Sequence, residues 1–253
     1  MATLQIQQST DFTASSVQFE NPRKNKHGGK VVYLNNVNGS KLRIQLPKMK
    51  APFGLSNFVD EKKGTPSYSI DLAFEDDGKD GPINNFRKQL EALDKMVVEF
   101  VAKNSKELLG REMKIQTIED ALLYKPLVRP PSKEGYAHTL HLKVLQDEKS
   151  GKFVPEAYSL KKKKMDLSEI EKQSRLICIA DIASIYFING KFGVSFRLQQ
   201  CLVYPSETLK PFAFVGVEDD IQAASEDEEA PADEAEDEDV DDQQETGSEN
   251  SDV

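Results

Sequence analysis

The 253-residue chain contains no tryptophan, two cysteines and three histidines. Cys178 and Cys201 form neither a metal-binding spacing nor a disulfide framework, which fits a reducing compartment and excludes a stapled secreted scaffold. Their positions in the sequence place them opposite each other across a hairpin, close enough to bridge, although two reduced thiols are the expectation. His138 and His141 are three apart, a chelating spacing on a helix but one that sends the two side chains to opposite faces of a strand. No stretch approaches the roughly 20 apolar residues that a bilayer crossing needs, and the opening MATLQIQQSTDF has neither a charged leader nor an apolar run. A soluble, intracellular protein without a membrane partner is therefore expected. GxxxxGK[ST], strand-borne GxGxxG, GxSxG, HExxH and CxxC are all missing, so no enzyme, no cofactor and no metal site is expected. The glycine-rich run His27-Gly28-Gly29-Lys30 lacks the flanking strand and helix of a phosphate cradle and reads as a loop.

One sign of charge is also missing from one end. Residues 218–253 hold 18 acids and no Lys or Arg, so the 33 basic and 43 acidic residues of the whole chain leave 33 against 25 in residues 1–217. A body of formal charge +8 is thus joined to a tail of −18. With Ile221, Val240 and Val253 as its strongest apolar residues, the tail cannot offset the roughly 1–2 kcal/mol per residue that ordering a backbone costs, and disorder is expected. Residues 1–217 suffice for one domain with a real core. A basic body carrying its own polyanion points to another polyanion, nucleic acid, as ligand, with the tail as competitor; a tail that only maintains solubility is the plainer reading.

Asn-Gly occurs twice between alternating apolar runs, at Asn38-Gly39 and Asn189-Gly190, and each reads as a two-residue hairpin turn. In the second hairpin this pairs Ile188 with Lys191 and puts Phe187/Phe192, Ile185/Val194, Ala183/Phe196, Asp181/Leu198 and Ile177/Leu202 on a core face. Ile188/Lys191, Tyr186/Gly193, Ser184/Ser195, Ile182/Arg197 and Ala180/Gln199 then lie outward, and Cys178 and Cys201 come out opposite each other on that same face unless a bulge near Gln199-Gln200 shifts the register. In the first hairpin Val31/Leu46, Tyr33/Ile44 and Asn35/Leu42 share the core face, while Lys41 and Arg43 project outward. Further strands are expected at Ser67–Phe74 and Thr139–Leu145, with shorter ones at Leu4–Gln8, Val17–Glu20, Leu122–Leu127 and Phe153–Ser159. Ile83, Phe86, Leu90, Leu93, Val97, Phe100 and Val101 recur at helical spacing behind Gly81-Pro82, predicting one helical insertion over about 82–110 with a break near Asn104-Ser105. The sum is a mainly β, small curved barrel or sandwich.

Basic residues interleaved with aromatics are the chemical signal, because rings stack bases regardless of identity while Lys and Arg follow phosphates. Three stretches combine them. Lys41, Arg43, Lys48, Lys50, Phe53 and Phe58 run on to Lys62-Lys63; Tyr124, Lys125, Arg129, Lys133, Tyr136, His141 and Lys143 form the second; Tyr186, Lys191 and Arg197 form the third. The cluster Glu75, Asp76, Asp77 and Asp80 fits either a divalent-metal nuclease site or a loop whose charges suit the start of the following helix. Lys161–Lys164 fits a nuclear localisation signal, a phosphate-contacting loop or a solvated run equally.

The segment LPKMKAPFGLS, the strand SYSIDLAFED and the hairpin ending FINGKFGVSFRLQQCLVYP resemble the single-stranded DNA-binding proteins of nucleocytoplasmic large DNA viruses, distant relatives of acidic-tailed phage proteins of the same function. The resemblance covers roughly residues 20–220 and the tail. It implies an OB-fold-like barrel that coats single-stranded DNA in viral replication, recombination and repair, in a host nucleus or a cytoplasmic viral factory. It brings no catalytic residue. On this reading Lys41, Arg43, Lys48, Lys50, Lys143, Lys191 and Arg197 meet phosphates, and Phe53, Phe58, Tyr136 and Tyr186 stack bases. The tail would recruit polymerase, helicase or primase components; its end, Glu-Asn-Ser-Asp-Val, has no terminal aromatic, which leaves electrostatic recruitment. Self-association is open. The rival is an acidic-tailed histone chaperone or protein-interaction scaffold.

Overall fold

A computed structural model describes residues 5–25, 28–59, 64, 66–206 and 214–216. The acidic tail, His27 and Lys62-Lys63 lie outside them. The architecture is mainly β. Its principal strands are β1 (Lys30–Asn36), β2 (Leu42–Gln45), β3 (Met49–Ala51), β4 (Leu55–Val59), β5 (Pro66–Ala73), β6 (Thr139–Val144), β7 (Glu156–Ser159), β8 (Ser174–Ile188) and β9 (Lys191–Tyr204). Helix α1 (Pro82–Lys103) and two short helices, α2 (Ser105–Leu109) and α3 (Ile115–Asp120), are inserted between β5 and β6.

Five strands close a ring in the order β3-β5-β6-β9-β8 and back to β3. Four of the contacts are antiparallel and one, β6 with β9 at Lys143↔Arg197, is parallel. Numbered along the ring strands alone this is the order 1-2-3-5-4, a five-stranded OB-fold-like barrel whose second and third strands are β5 and β6. Closure leaves no free edge in the ring, and the inward residues of every strand meet in one core: Ile44, Met49, Ile70, Leu72, Leu140, Leu142, Leu176, Phe196 and Leu198 are all essentially inaccessible.

The helix follows its sequence pattern. Gly81 precedes Pro82 in the first turn, and the expected stripe packs against the barrel from Ile83 to Val101. Asp77 accepts hydrogen bonds from the backbone N–H groups of Ile83 (2.7 Å) and Asn84 (3.0 Å), while Asp76 accepts from the Asn84 side chain and Gly78 N–H. Those carboxylates satisfy donors that a helix start leaves open and sit at its positive end, and backbone and side-chain hydrogen bonds lower the pKa of Asp76 below the usual carboxylate range. Glu75 instead pairs with Lys50 (3.7 Å) and Arg175 (2.9 Å). The acidic cluster is thus divided between a helix cap and a salt bridge. The break comes at Asn104, and Gly110, at φ +80°, ends α2.

The two Asn-Gly turns differ. Asn189 (φ +51°) and Gly190 (φ +75°) form the expected two-residue turn, and β8 and β9 pair in the expected register from Ile188↔Lys191 to Ser184↔Ser195. Ala183 then bulges on β8 and Gln199 on β9, so Ile182↔Phe196, Asp181↔Arg197 and Ala180↔Leu198 replace the expected partners before Ile179↔Gln200 and Cys178↔Cys201 restore the original register. Each bulge reverses which residues face inward. Cys178, Ala180 and Ile182 are buried in place of the expected Ile177 and Ala183, and Asp181 moves to the outer wall.

In the first hairpin only Gly39 has positive φ; Gly39 N–H donates to Asn36 O and Asn36 N–H to Ser40 O, giving a three-residue loop that shifts the register by one. The expected pairs Val31/Leu46, Tyr33/Ile44 and Asn35/Leu42 do not form. Beyond Asn35↔Lys41 the strands part, and β1 and β2 line up end to end along β8. Val32 and Leu34 are therefore the most deeply buried positions of β1, and Tyr33 is exposed, the reverse of expectation, while Leu42, Ile44 and Leu46 are buried as expected.

Candidate nucleic-acid interface

Side chains opposite one another on neighbouring strands share a face, so the register maps the outer wall. Ser56, Ser69, Lys143, Arg197, Asp181 and Arg43 form one row across β4, β5, β6, β9, β8 and β2. Lys143 and Arg197 are side by side where the parallel contact closes the barrel, and Arg197 Nε donates to Ser195 Oγ at 3.2 Å. Along β6, His141 and Thr139 are the next outward positions, alternating with buried Leu140 and Leu142.

The ends of this face carry rings. Phe58 lies on β4 opposite Ser67 and is 68% exposed. At the other end Tyr186 crosses Gly193: a Cβ placed on Gly193 would meet the Tyr186 hydroxyl oxygen at 2.7 Å, so a larger residue there would displace the ring. Arg129, opposite Thr139, is near enough to act electrostatically on Tyr186, whose phenol is pushed above its usual range chiefly by burial. Lys125 pairs with Gly193 on the next short strand. Lys191 and the exposed Ile188 form the tip of the β8–β9 hairpin, which rests on stacked Phe187 and Phe192, with Phe192 against Tyr124. Tyr136, 71% exposed, is in the loop that enters β6.

A buried anchor holds that end in place. Asp94 of α1 accepts from the Tyr124 hydroxyl (2.6 Å), Leu127 N–H (2.9 Å) and Val128 N–H (3.3 Å), fixing the strand that brings Arg129 to β6. Desolvation raises the pKa of Asp94 above the usual carboxylate value, and burial and the neighbouring carboxylate push Tyr124 well up.

The other expected residues are elsewhere. Arg43 lies three strand positions round the wall from Lys143 and forms a two-pronged salt bridge with Asp181, Nε to Oδ1 at 2.6 Å and Nη2 to Oδ2 at 2.8 Å, with side chains 16% and 12% exposed. Its guanidinium is occupied, and its pKa is raised by that hydrogen bond. Lys41 sits at the loop end of the same strand. Lys50 is in a second row, Arg129-Thr139-Ala73-Lys50-Arg175-Tyr204, where Glu75 lies between it and Arg175. Lys48 stands over the Tyr204 ring at 4.7 Å. Phe53, 56% exposed, is on the turn between β3 and β4. Sequence reasoning overlooked Ser56, Ser69 and Ser195, whose hydroxyls line the face, and Asp71, which pairs with His141; alternation marked Ser69, Asp71 and Ser195 as outward without saying what lay beside them, and nothing marked Ser56.

Lys161–Lys163 are exposed in the turn after β7, and Lys164 pairs with Glu156 at 2.8 Å. A surface groove of about 530 Å³ lies between α1, α3 and Tyr124–Pro126, away from the cationic row.

No protein-family model matches the chain, and no curated protein does. Among solved structures, the single-stranded DNA-binding protein of bacteriophage Enc34 in complex with ssDNA aligns over 77% of this chain and 98% of its own, at 12% identity and a TM-score of 0.38. The gp2.5 single-stranded DNA-binding protein encoded by bacteriophage T7 aligns over 66% and 93%, at 15% identity and a TM-score of 0.41.

Proposed function

We propose that the protein binds single-stranded DNA along the outer face of β5, β6 and β9. The observation that carries this reading is the row that sets Lys143 beside Arg197, flanked by exposed Phe58 and by Tyr186 with Arg129. Cations follow a phosphate backbone, rings stack bases whatever their identity, and strands two and three of a five-stranded barrel are where such folds take oligonucleotides. Exposed rings favour unpaired bases, since a duplex keeps its base faces covered.

On the same reading the chain coats single strands during viral DNA replication and recombination, in the nucleus or a cytoplasmic factory, and the −18 tail competes with DNA until displaced. Tethered to the barrel, its carboxylates reach an effective concentration on the order of millimolar. Once released it is available to replication partners through charge.

Fluorescence titration with single- and double-stranded oligonucleotides of matched length tests the core reading. Preference for the single strand is expected, with log affinity falling against log salt at about −0.7 per phosphate, or about −3 if Lys143, Arg197, Arg129 and Lys191 each meet one. A flat salt response would refute it. Deleting residues 218–253 is expected to tighten binding most at low salt; an unchanged constant removes the competitor.

A further inference from the structure

A carboxylate lies in the middle of the face just described. Asp71 is opposite His141 in the β5–β6 ladder, with its Oδ1 2.8 Å from His141 Nδ1. Its neighbours Ile70 and Leu72 are fully buried, which holds Asp71 on the outer wall, and its side chain is 23% exposed. It is one outward position, ~7 Å, from the row of Ser69 and Lys143. Its second oxygen, Oδ2, has no hydrogen-bond partner among the described residues.

A negative charge at this position opposes any phosphate beside it, so the backbone track of Lys143 and Arg197 gains nothing from Asp71. A base edge is different. The ladder of β4 on β5 stops at Leu55↔Ile70 and that of β3 resumes at Lys50↔Ala73, so the turn carrying exposed Phe53 crosses beside Asp71. A base resting near that ring turns its polar edge toward the wall. Cytosine N4, adenine N6 and guanine N2 are exocyclic amines that donate to a carboxylate; where cytosine and adenine carry theirs, thymine presents O4, another acceptor.

We propose that Asp71 is a base-reading acceptor, oriented by His141, that gives the strand-binding face a preference for amino-bearing bases over thymine. The proposal deepens the single-strand reading and rests on it. Asp71 sets selectivity, while Lys143 and Arg197 supply the sequence-independent part of affinity.

The test is a fluorescence titration of the full chain with oligo-dC and oligo-dT of about twelve nucleotides, within the site sizes such barrels cover. The two are both pyrimidine strands, so the exocyclic group is the main difference. Oligo-dC is expected to bind about tenfold tighter, the worth of a hydrogen bond to a charged acceptor. In Asp71→Asn, which keeps the shape and an oxygen for His141, the ratio is expected to fall to parity or to reverse, because an amide N–H2 can donate to thymine O4. Asp71→Ser, matching its neighbour Ser69, is expected to give parity with an unchanged thermal midpoint. Equal wild-type affinities would overturn the proposal, as would equal tightening of both strands in Asp71→Asn, the result of merely removing a repulsive charge. Failure of both strands to bind would instead overturn the single-strand reading beneath it.

Discussion

Replacing Asp181 with alanine separates a structural salt bridge from a DNA contact. The carboxylate receives two hydrogen bonds from Arg43, at 2.6 and 2.8 Å, both side chains are more than four-fifths buried, and Arg197 is its cross-strand neighbour. Asp181→Ala leaves Arg43 a nearly buried cation without its partner, and removes the carboxylate that stands between it and Arg197. Breaking such a pair costs about 3–5 kcal/mol when fully buried, and residual solvent at Arg43 favours the lower figure, about 3 kcal/mol. For a domain of this size that lowers the midpoint of thermal unfolding by about 6–12 °C. The double variant Arg43→Met, Asp181→Leu removes both charges together and is expected to stay within ~1 kcal/mol of the original, since the cost of desolvating the pair disappears with it. Calorimetry or circular dichroism against temperature reads both. A fall of less than ~2 °C for Asp181→Ala would refute the argument that the pair holds β2 to β8. If the double variant folds but loses affinity for single strands, Arg43 contacts DNA after all.

Phe58→Ala is expected to weaken single-strand binding by about 1–3 kcal/mol while leaving the unfolding midpoint unchanged, because the ring is largely exposed and has little packing to lose; titration and melting on the same samples check it. Asp94→Ala removes the acceptor of three hydrogen bonds and is expected to cost about 3 kcal/mol by denaturant titration, whereas Asp94→Asn costs less. Because desolvation raises the Asp94 pKa in the fold, the native state holds that proton more tightly than the unfolded chain. The resulting contribution to stability is present at acid pH and is lost as pH rises through the folded value; Asp94→Asn is expected to remove that slope from the stability profile. Cys178 and Cys201 are buried, and desolvation pushes Cys201 up to about 12 and Cys178 well above its ordinary value, so neither is expected to react with a thiol reagent at pH 8 until the chain is unfolded.

The elements that could be read from the sequence are those whose residues alternate or recur without interruption. Ile70/Leu72 and Leu140/Leu142 marked β5 and β6 as half-buried strands, and Pro82 with the stripe from Ile83 to Val101 marked α1, each from local periodicity. β3 and β4 escaped notice because Pro52, Phe53 and Gly54 interrupt any alternation, and Gly54 instead packs against the backbone of Ile170. The faces of β1 were inverted by a loop one residue longer than Asn-Gly implied. The bulge at Gln199 falls where Gln199-Gln200 had left room for one, whereas Ala183 carries no local mark of its own; the hint there was Asp181, the lone acid on an apolar face. Its partner Arg43 is 138 residues away in sequence, and no spacing rule joins them. The site divided in the same way. Lys143, Arg197 and Tyr186 came out on the outer wall because strand alternation fixes direction, while the separation of Lys41, Arg43, Lys48 and Lys50 from them depends on how far round the ring each strand falls.

The two bulges of the β8–β9 ribbon stand on opposite strands, one residue gained on each side of the ladder. The ribbon therefore behaves like a pair of rulers slipped by one mark and then slipped back. Deleting either extra residue would let the flanking pairs close up into an unbroken ladder with the same partners, since Ser184↔Ser195 is followed directly by Ile182↔Phe196 and Ala180↔Leu198 by Ile179↔Gln200. These two points are therefore where the ribbon has slack: one strand can lose a residue there without the other following. A deletion elsewhere along either strand has no such slack and turns the side chains beyond it to the other face.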